Sequence, residues 1–543
     1  MPKLTINGKE IEVPAGTNLI EAAKVAGADV PHYCYHPALS IAGQCRLCMV
    51  DIDKVPRPQI ACNTQATEGM VVHTETERVK DTRRSMMEFH LINHPLDCPV
   101  CDQAGECFLQ IYYMKHGLYD PRMTDEKVHK PKAVPLGPHV ILDAERCILC
   151  SRCVRYCDEV THTGELGIFG RGDHSEIALF PGRTLENKYS GNVIDICPVG
   201  ALTDRDFRFQ VRVWYLDTAK SVCNGCARGC NIEVHTNKHR THHNQGRRVA
   251  RLKPRFNAEV NTWWICDAGR YGFTWIDDKS RLVQPLHRTG SQGREVSWDL
   301  ALTELVTTVQ RTPPEAIGIL ASAQMSNEDL FLVRRLAEGL GVKNLDFRVP
   351  PRVPGDEDDF LIRADKNPNT RGAELIGIAP AEGGLDAAGM LRAAREQRLK
   401  LLWVFHHDLG AAAWPEAEVL AALDGAETMI FQGTNANDAS TRAHLVLPSA
   451  AYVEREGTFT NFQGRVQRFR TALDPLEQAR PDWLILSFIG KALGFQDPVF
   501  SAERAEQVFS ALASSVPAFG GMTYRNIGDA GRGIGDAGAT VKA

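Results

Sequence analysis

After Cys266 the chain has no cysteine, although it carries 16 of them among its 543 residues. Thiolate chemistry is thereby excluded from the second half and crowded into the first. No apolar run approaches the roughly 18 residues that suggest a membrane span. The opening Met-Pro-Lys-Leu-Thr-Ile-Asn-Gly holds no apolar signal segment. A disulfide scaffold is typically short and secreted, which this long chain is not, so its cysteines are expected to be reduced. A membrane role would then depend on partners. Net charge is only −5, which gives no reason to expect nucleic-acid binding. There is no P-loop, no Ser/His/Asp arrangement and no paired acid/base carboxylates. Nothing in the chain itself points to a nucleotide or hydrolytic site.

What is present is organised around one stretch, His94-Pro-Leu-Asp-Cys98-Pro-Val-Cys101-Asp-Gln-Ala-Gly-Glu-Cys107. It offers one imidazole and three thiols. Soft thiolates select iron–sulfur clusters, zinc or copper(I), and imidazole can replace a thiolate on iron. Taken alone, the stretch also fits zinc. Three further four-thiol sets in the same chain favour clusters.

The first set is Cys34, Cys45, Cys48 and Cys62. Before it, Leu4 and Ile6, then Asn7-Gly8, then Ile11 and Val13 predict a hairpin. Thr17 or Asn18 should cap a helix through Leu19, Ile20, Ala23 and Val25, ended by Gly27. Strand, turn, strand, helix and Cys-rich loop is how a β-grasp ferredoxin begins. Gly43 permits the tight turn that presents N–H groups to cluster sulfurs. Four thiols from one loop and its flank suit a [2Fe–2S] centre over residues 1–78.

Residues 79–118 predict a helical module. A helix from Val79 to His90 should bury Met86, Met87 and Phe89, and Pro95 should break it. A second helix from about Glu106 through Phe108, Ile111, Tyr112 and His116 would hold Cys107 in its first turn. With no fourth Cys nearby, His94 is the expected ligand beside Cys98, Cys101 and Cys107, ahead of His90 and His116. Pro121, Pro131, Pro135 and Pro138 mark 119–138 as a linker.

Over 139–214, Cys147, Cys150, Cys153 and Cys157 make most of a bacterial ferredoxin run. Cys157 is followed by Asp158, and the Cys-Pro pair comes at Cys197. Cys147, Cys150, Cys153 and Cys197 are therefore assigned to one [4Fe–4S] cluster, and Cys157 is read as a buried small side chain. Over 215–272, Cys223, Cys226, Cys230 and Cys266 form another [4Fe–4S] set. His235, His239, His242 and His243 between them are read as a solvated loop. Arg205–Arg212 is likewise read as a solvated face.

From 273 to 519 the pattern is α/β. Strands are expected at 316–321, 399–405, 428–431 and 443–447, with a Ser326-capped helix to about Gly339. Alternating strands and helices suggest a parallel sheet. The Gly-rich tail, 520–543, is expected to be disordered, and its Gly531-Arg-Gly533-Ile-Gly535 is not taken as a nucleotide loop. The fold class is thus multidomain α/β and α+β.

In order and spacing these sets resemble the family of large iron–sulfur subunits of respiratory NADH:quinone oxidoreductase, complex I (the G subunit in bacteria). The likeness spans nearly the whole chain, and His94-Cys98-Cys101-Cys107 between two ferredoxin modules is its most specific part. The resemblance implies one [2Fe–2S] and three [4Fe–4S] clusters passing electrons from a flavin-bearing, NADH-oxidising subunit. They would enter at the Cys34 set, pass to the Cys147 set and then to the His94 set. They would leave to a ferredoxin-like subunit and the quinone module, on the cytoplasmic side of the inner membrane. The Cys223 cluster would lie off this route. Imidazole in place of a thiolate removes negative charge, which by itself raises the potential of the His94 cluster.

The second half resembles molybdopterin oxidoreductases at Ala443-His-Leu-Val-Leu-Pro448 and at Gly457-Thr-Phe-Thr-Asn461-Phe-Gln-Gly464-Arg465-Val-Gln467. Ala268 stands where the molybdenum enzymes usually have Lys, and no Cys remains to hold the metal. The reading is a degenerate scaffold without molybdenum cofactor or pterin site. Rival readings are the large subunit of an NAD-linked molybdenum formate dehydrogenase, a hydrogenase electron-transfer subunit, and a zinc-bearing scaffold.

Overall fold

A computed structural model describes residues 1–120, 122–289 and 292–535. The chain divides into two units: 1–216 with 242–245, and 217–241 with 246–543. Among the described residues no helix is long and apolar enough to cross a membrane.

The first unit opens with a five-stranded sheet in the order Lys9–Glu12, Lys3–Ile6, Val71–His73, Met49–Ile52, Gln59–Ile60. The hairpin pairs Leu4 with Ile11 across Asn7 and Gly8, both at positive φ, as the tight turn requires. Asn18, not Thr17, caps the helix Leu19–Ala26, and Gly27 closes it at φ 81°. Val25 falls on its exposed side. Leu4, Ile6, Leu19, Ile20 and Val50 form the core, and Cys48 and Cys62 are part of it.

The helix Glu77–Leu91 buries Val79, Arg83 and Met87, one residue per turn. Phe89 lies off that stripe and is 65% exposed, so of the expected face Met87 is buried and Phe89 is not. The next helix is Phe108–His116; Cys107 is its N-cap rather than part of its first turn. Within the expected linker, Val134–Pro135 pairs with Val140–Leu142, which in turn pairs with Leu202–Asp204. The linker therefore ends before 134, because Val140–Leu142 needs a neighbour on its second edge.

The second unit begins with the antiparallel strands Asp217–Val222, Asn231–Thr236 and Val249–Pro254. His235 lies in the middle strand and is buried, with Nδ1 accepting from Arg251 at 3.3 Å. It is thus no part of a solvated loop, whereas His239 is exposed and lies 3.5 Å from Asp217.

Beyond it stands a seven-stranded sheet. Its order is Gln292–Glu295, Leu286–Thr289, Leu445–Pro448, Thr428–Gly433, Leu401–Phe405, Ile317–Leu320, Asn344–Asp346. The last five run parallel, as the alternating pattern predicts, and an antiparallel hairpin extends one edge. Ser326 and Asp329 form a capping box on the helix Asn327–Leu340, which ends at Gly341 with φ 73°. Buried Arg455 bonds Asp329 at 2.5 Å and lies 3.8 Å from Asp482, which His406, Gln432 and Ser449 also hold.

The tail is ordered through residue 535, against the expectation of disorder. Tyr524–Ile527 is helical, and Arg532–Gly533 adds a strand to Arg465–Phe469. What anchors it is polar as well as apolar. The buried Tyr524 hydroxyl donates to Glu328 at 2.9 Å, and Asp529 pairs with Lys220 and Arg470. Positions 536–543 lie outside the described residues. We expect Tyr524→Phe to cost about 1–2 kcal/mol, since buried Glu328 loses one donor. Calorimetry of the full chain would reveal this, and an unchanged transition would remove the anchoring role.

Candidate metal centres

The structure gathers the four expected ligand sets as four groups. Cys34, Cys45, Cys48 and Cys62 are all buried. Gly43 at φ 62° and Arg46 at φ 52° curl the loop back on itself. The sulfurs fall into two pairs. Cys34 Sγ lies 3.5 Å from Cys45 Sγ, and Cys48 hydrogen-bonds Cys62. The Tyr33 amide donates to Cys45 Sγ at 3.4 Å. The hydrogen bond within the first pair brings the Cys34 pKa down to about 5, and that within the second lowers Cys62. Two sulfurs close together in each of two pairs is what two adjacent irons require.

His94 follows the first helix of the second module and lines one cavity with Cys98 and Cys107. Its Nδ1 is buried without a hydrogen-bond partner. Burial, with Arg146 and Lys127 nearby, lowers its pKa to about 4. The ring is therefore neutral at neutral pH, the form that binds a metal. Burial raises Cys107 to about 11, and Cys101 and Cys98 add to the shift as close neighbours. Gly200 is needed for space, because a Cβ there would stand 2.3 Å from Cys101 Sγ. Arg212 donates to the carbonyls of Cys101 (2.6 Å) and Pro99 (2.7 Å), which makes it a clamp on this loop rather than a solvated side chain. His90 bonds the Cys45 carbonyl instead, at 3.1 Å. His116 stacks obliquely on Tyr112.

Cys147, Cys150, Cys153 and Cys197 line a single pocket walled by Leu142, Ile177, Val199 and Leu202. Leu149 and Ser151 take positive φ, which turns the loop so that successive thiols face inward. Burial lifts Cys147 to about 12 and Cys150 to about 11. Cys157, one turn beyond Cys153, is fully buried and not among the lining residues of that pocket.

Cys223, Cys226 and Cys230 occupy the loop between the first two strands of the second unit. Cys266 caps the helix Asp267–Tyr271 and accepts from Gly269 N at 3.3 Å. The four thiols are mutual electrostatic neighbours. Gly269 keeps space beside two of them, since a Cβ would come 3.1 Å from Cys223 Sγ and 3.4 Å from Cys266 Sγ.

The sixteen expected donors thus lie in four groups, with soft ligands, amides near sulfur in three of them, and glycines where bulk would intrude. Buried thiols with raised pKa values become thiolates only when a metal supplies the opposing charge. Among the described residues no group of three or more His, Cys, Asp or Glu converges on one metal ion. Ligands of a cluster bind different irons and need not so converge. The residues that sequence reasoning missed are arginines, namely Arg146, Arg152 and Arg155, and no spacing rule marks an arginine that bonds a ligand loop.

Four family descriptions match parts of the chain. The 2Fe-2S iron-sulfur cluster binding domain matches residues 2–77, and the NADH-ubiquinone oxidoreductase-G iron-sulfur binding region matches 83–122. The ferredoxin-like domain of NADH-quinone oxidoreductase subunit 3 matches 137–203, and molybdopterin oxidoreductase matches 372–492. The G subunit of NADH-quinone oxidoreductase from Rickettsia bellii is 30% identical, over 96% of this chain and 90% of that protein. The mitochondrial 78 kDa subunit of NADH-ubiquinone oxidoreductase from Neurospora crassa is 31% identical, over 94% and 84%. A chain of an NAD+-reducing [NiFe]-hydrogenase structure is 30% identical over 39% of this chain and 91% of its own, with a TM-score of 0.36. With iron–sulfur binding domains of both kinds and relatives matched nearly end to end, the chain belongs to the G-type (78 kDa) subunit family of NADH:quinone oxidoreductase, complex I.

Proposed function

We propose that this chain is the wire of the complex I peripheral arm, holding one [2Fe–2S] and three [4Fe–4S] clusters. Cys34, Cys45, Cys48 and Cys62 would hold the binuclear centre, Cys34 being paired with Cys45 and Cys48 with Cys62. His94, Cys98, Cys101 and Cys107 hold a tetranuclear centre, as do Cys147, Cys150, Cys153 and Cys197, and Cys223, Cys226, Cys230 and Cys266. The observation that carries this reading is the His94 group: a half-buried imidazole whose Nδ1 is itself buried and unpartnered, lining one cavity with Cys98 and Cys107. When bound, the clusters supply one-electron transfer with little nuclear rearrangement. The chain's residues fix their spacing, exclude water and tune potential through charge and hydrogen bonds.

The modules run 1–78, 79–118, 134–214 and 215–272, followed by an α/β scaffold that carries no molybdenum cofactor. Electrons come from a flavin-bearing NADH-oxidising subunit and leave to a ferredoxin-like subunit toward quinone, on the cytoplasmic face of the membrane. No nucleic acid is involved.

Anaerobically purified full chain is expected to hold about 14 iron atoms, with matching sulfide and no molybdenum. Electron paramagnetic resonance after reduction should give one binuclear signal. Stoichiometric zinc with little iron would defeat the reading, and stoichiometric molybdenum would transfer it to a dehydrogenase.

A further inference from the structure

The helix Arg152–Glu159 carries Cys153 and starts just after Cys150, yet three of its side chains reach the loop of the first set. Arg152 is buried. Its Nη1 donates to the carbonyl of Ile196 at 3.0 Å, the residue before Cys197. Its Nη2 donates to the carbonyl of Tyr35, the residue after Cys34. Its Nε is buried with no partner. The strongest charged influences on it are thiols of both sets: Cys150, Cys197, Cys34 and Cys45. A buried cation held only by carbonyls is costly unless an anion lies close. Two thiolate-ligated clusters would be such anions.

Arg155, three residues on, makes the link shorter still. Its Nη2 donates to the carbonyl of Cys34 at 2.5 Å and to that of Cys150 at 3.3 Å. One nitrogen thus joins a ligand residue of the first set to a ligand residue of the third. Its Nη1 donates to Ser40 O and its Nε to Ser151 Oγ at 3.2 Å. Glu159 accepts from Ser40 N at 2.7 Å, and Gln44 donates to the Leu149 carbonyl.

We propose that Arg152 and Arg155 are positioning residues that join the binuclear site to the Cys147 site and supply the hydrogen-bonded path by which an electron crosses between them. The proposal deepens the reading above and rests on its assignment of those two sets. From Cys34 to Cys150 the path is covalent except for the two hydrogen bonds at Arg155 Nη2. Tunnelling decays less steeply through bonds than through gaps. With both clusters bound, the step would move one electron from the Cys34 set to the Cys147 set, with no bond or proton changing place. The reductant is the reduced flavin of the partner subunit, or a photoreduced dye in the test. Arg152, buried beside both sets, favours the reduced state of each.

The test uses full chain with its clusters, prepared anaerobically, as wild type and as Arg155→Met, Arg155→Lys and Arg152→Lys. Three quantities are read: iron per chain, the spin–spin interaction of the two reduced centres, and the rate of transfer between them after flash reduction. Arg155→Met should keep its iron, lose at least tenfold in rate and weaken the spin interaction. Arg155→Lys keeps the charge but lacks the planar fork. It should retain wild-type potentials and still lose rate. Arg152→Lys keeps the buried charge, so each potential should stay within the 59 mV that corresponds to a tenfold change in a one-electron equilibrium. A purely structural clamp would change stability and leave rate and spin interaction alone. Full iron with unchanged rate and spin interaction in both Arg155 variants overturns the proposal and leaves the ligand sets standing. A wild-type chain lacking either signal overturns the ligand assignment, and this proposal with it.

Discussion

Alanine at position 200 should strip about four of the roughly 14 iron atoms from the chain and erase one tetranuclear signal. The expectation comes from a single close approach. A Cβ on Gly200 would stand 2.3 Å from Cys101 Sγ and 3.1 Å from Gln103 Cβ. Something must then move by more than half an ångström, and the nearest atom is a proposed ligand. Overpacking of this kind costs about 1–3 kcal/mol in stability, but the larger loss is geometric, because a displaced sulfur cannot close a four-point cage. Gly225→Ala is the control. Its Cβ would meet Cys223 Sγ at 3.5 Å, an ordinary contact, so full iron is expected. Iron and spectra of Gly200→Ala identical to wild type would show that Cys101 is not held where the His94 set needs it.

Arg455→Met should destabilise the second unit by about 3–5 kcal/mol, since it leaves the buried Asp329 carboxylate without its cation. Arg455 bonds Asp329 and lies near Asp482, both fully buried. Burial alone would push the Asp482 carboxyl up, but His406, Arg455 and Ser449 outweigh it and hold it below the ordinary range. A depressed folded pKa stabilises above the unfolded value, near 3.9, and that contribution is lost as pH falls below it. The wild type should therefore lose this part of its stability only in acid. A second change, Asp329→Asn in the Arg455→Met background, should recover part of the loss. Calorimetry of the full chain is the measurement, and a cost under about 1 kcal/mol would mean that water or another cation replaces the guanidinium.

The close thiols were legible because their spacing is a local property: Cys45-x2-Cys48 and Cys147-x2-Cys150-x2-Cys153 place sulfurs together within a few residues, whereas Cys197 and Cys266 come from farther along the chain. The parallel strands of the second unit were legible too, since each is a short apolar run between helices. What failed were features set by distant partners. Phe89 is apolar but lies off the Val79–Arg83–Met87 stripe, and Arg83 is buried because Glu75 and the Met49 carbonyl receive it. The tail reads as weakly apolar, yet Tyr524 finds Glu328, 196 residues away in sequence. Arg152, Arg155 and Arg212 have no local signature, because what defines them is a carbonyl on another loop.

Cys48 and Cys62 are packed among Leu4, Ile20 and Val50 as members of the first hydrophobic core. With Cys48 and Cys62 as ligands of the proposed binuclear centre, folding of the N-terminal module and its metallation would be coupled, because its packing includes atoms whose charge would change on binding iron. Iron supply would then act as a checkpoint in the life of the polypeptide. Chains that miss their cluster would be expected to be the ones open to proteolysis, so the half-life of the chain in iron-starved cells is where this coupling would be read.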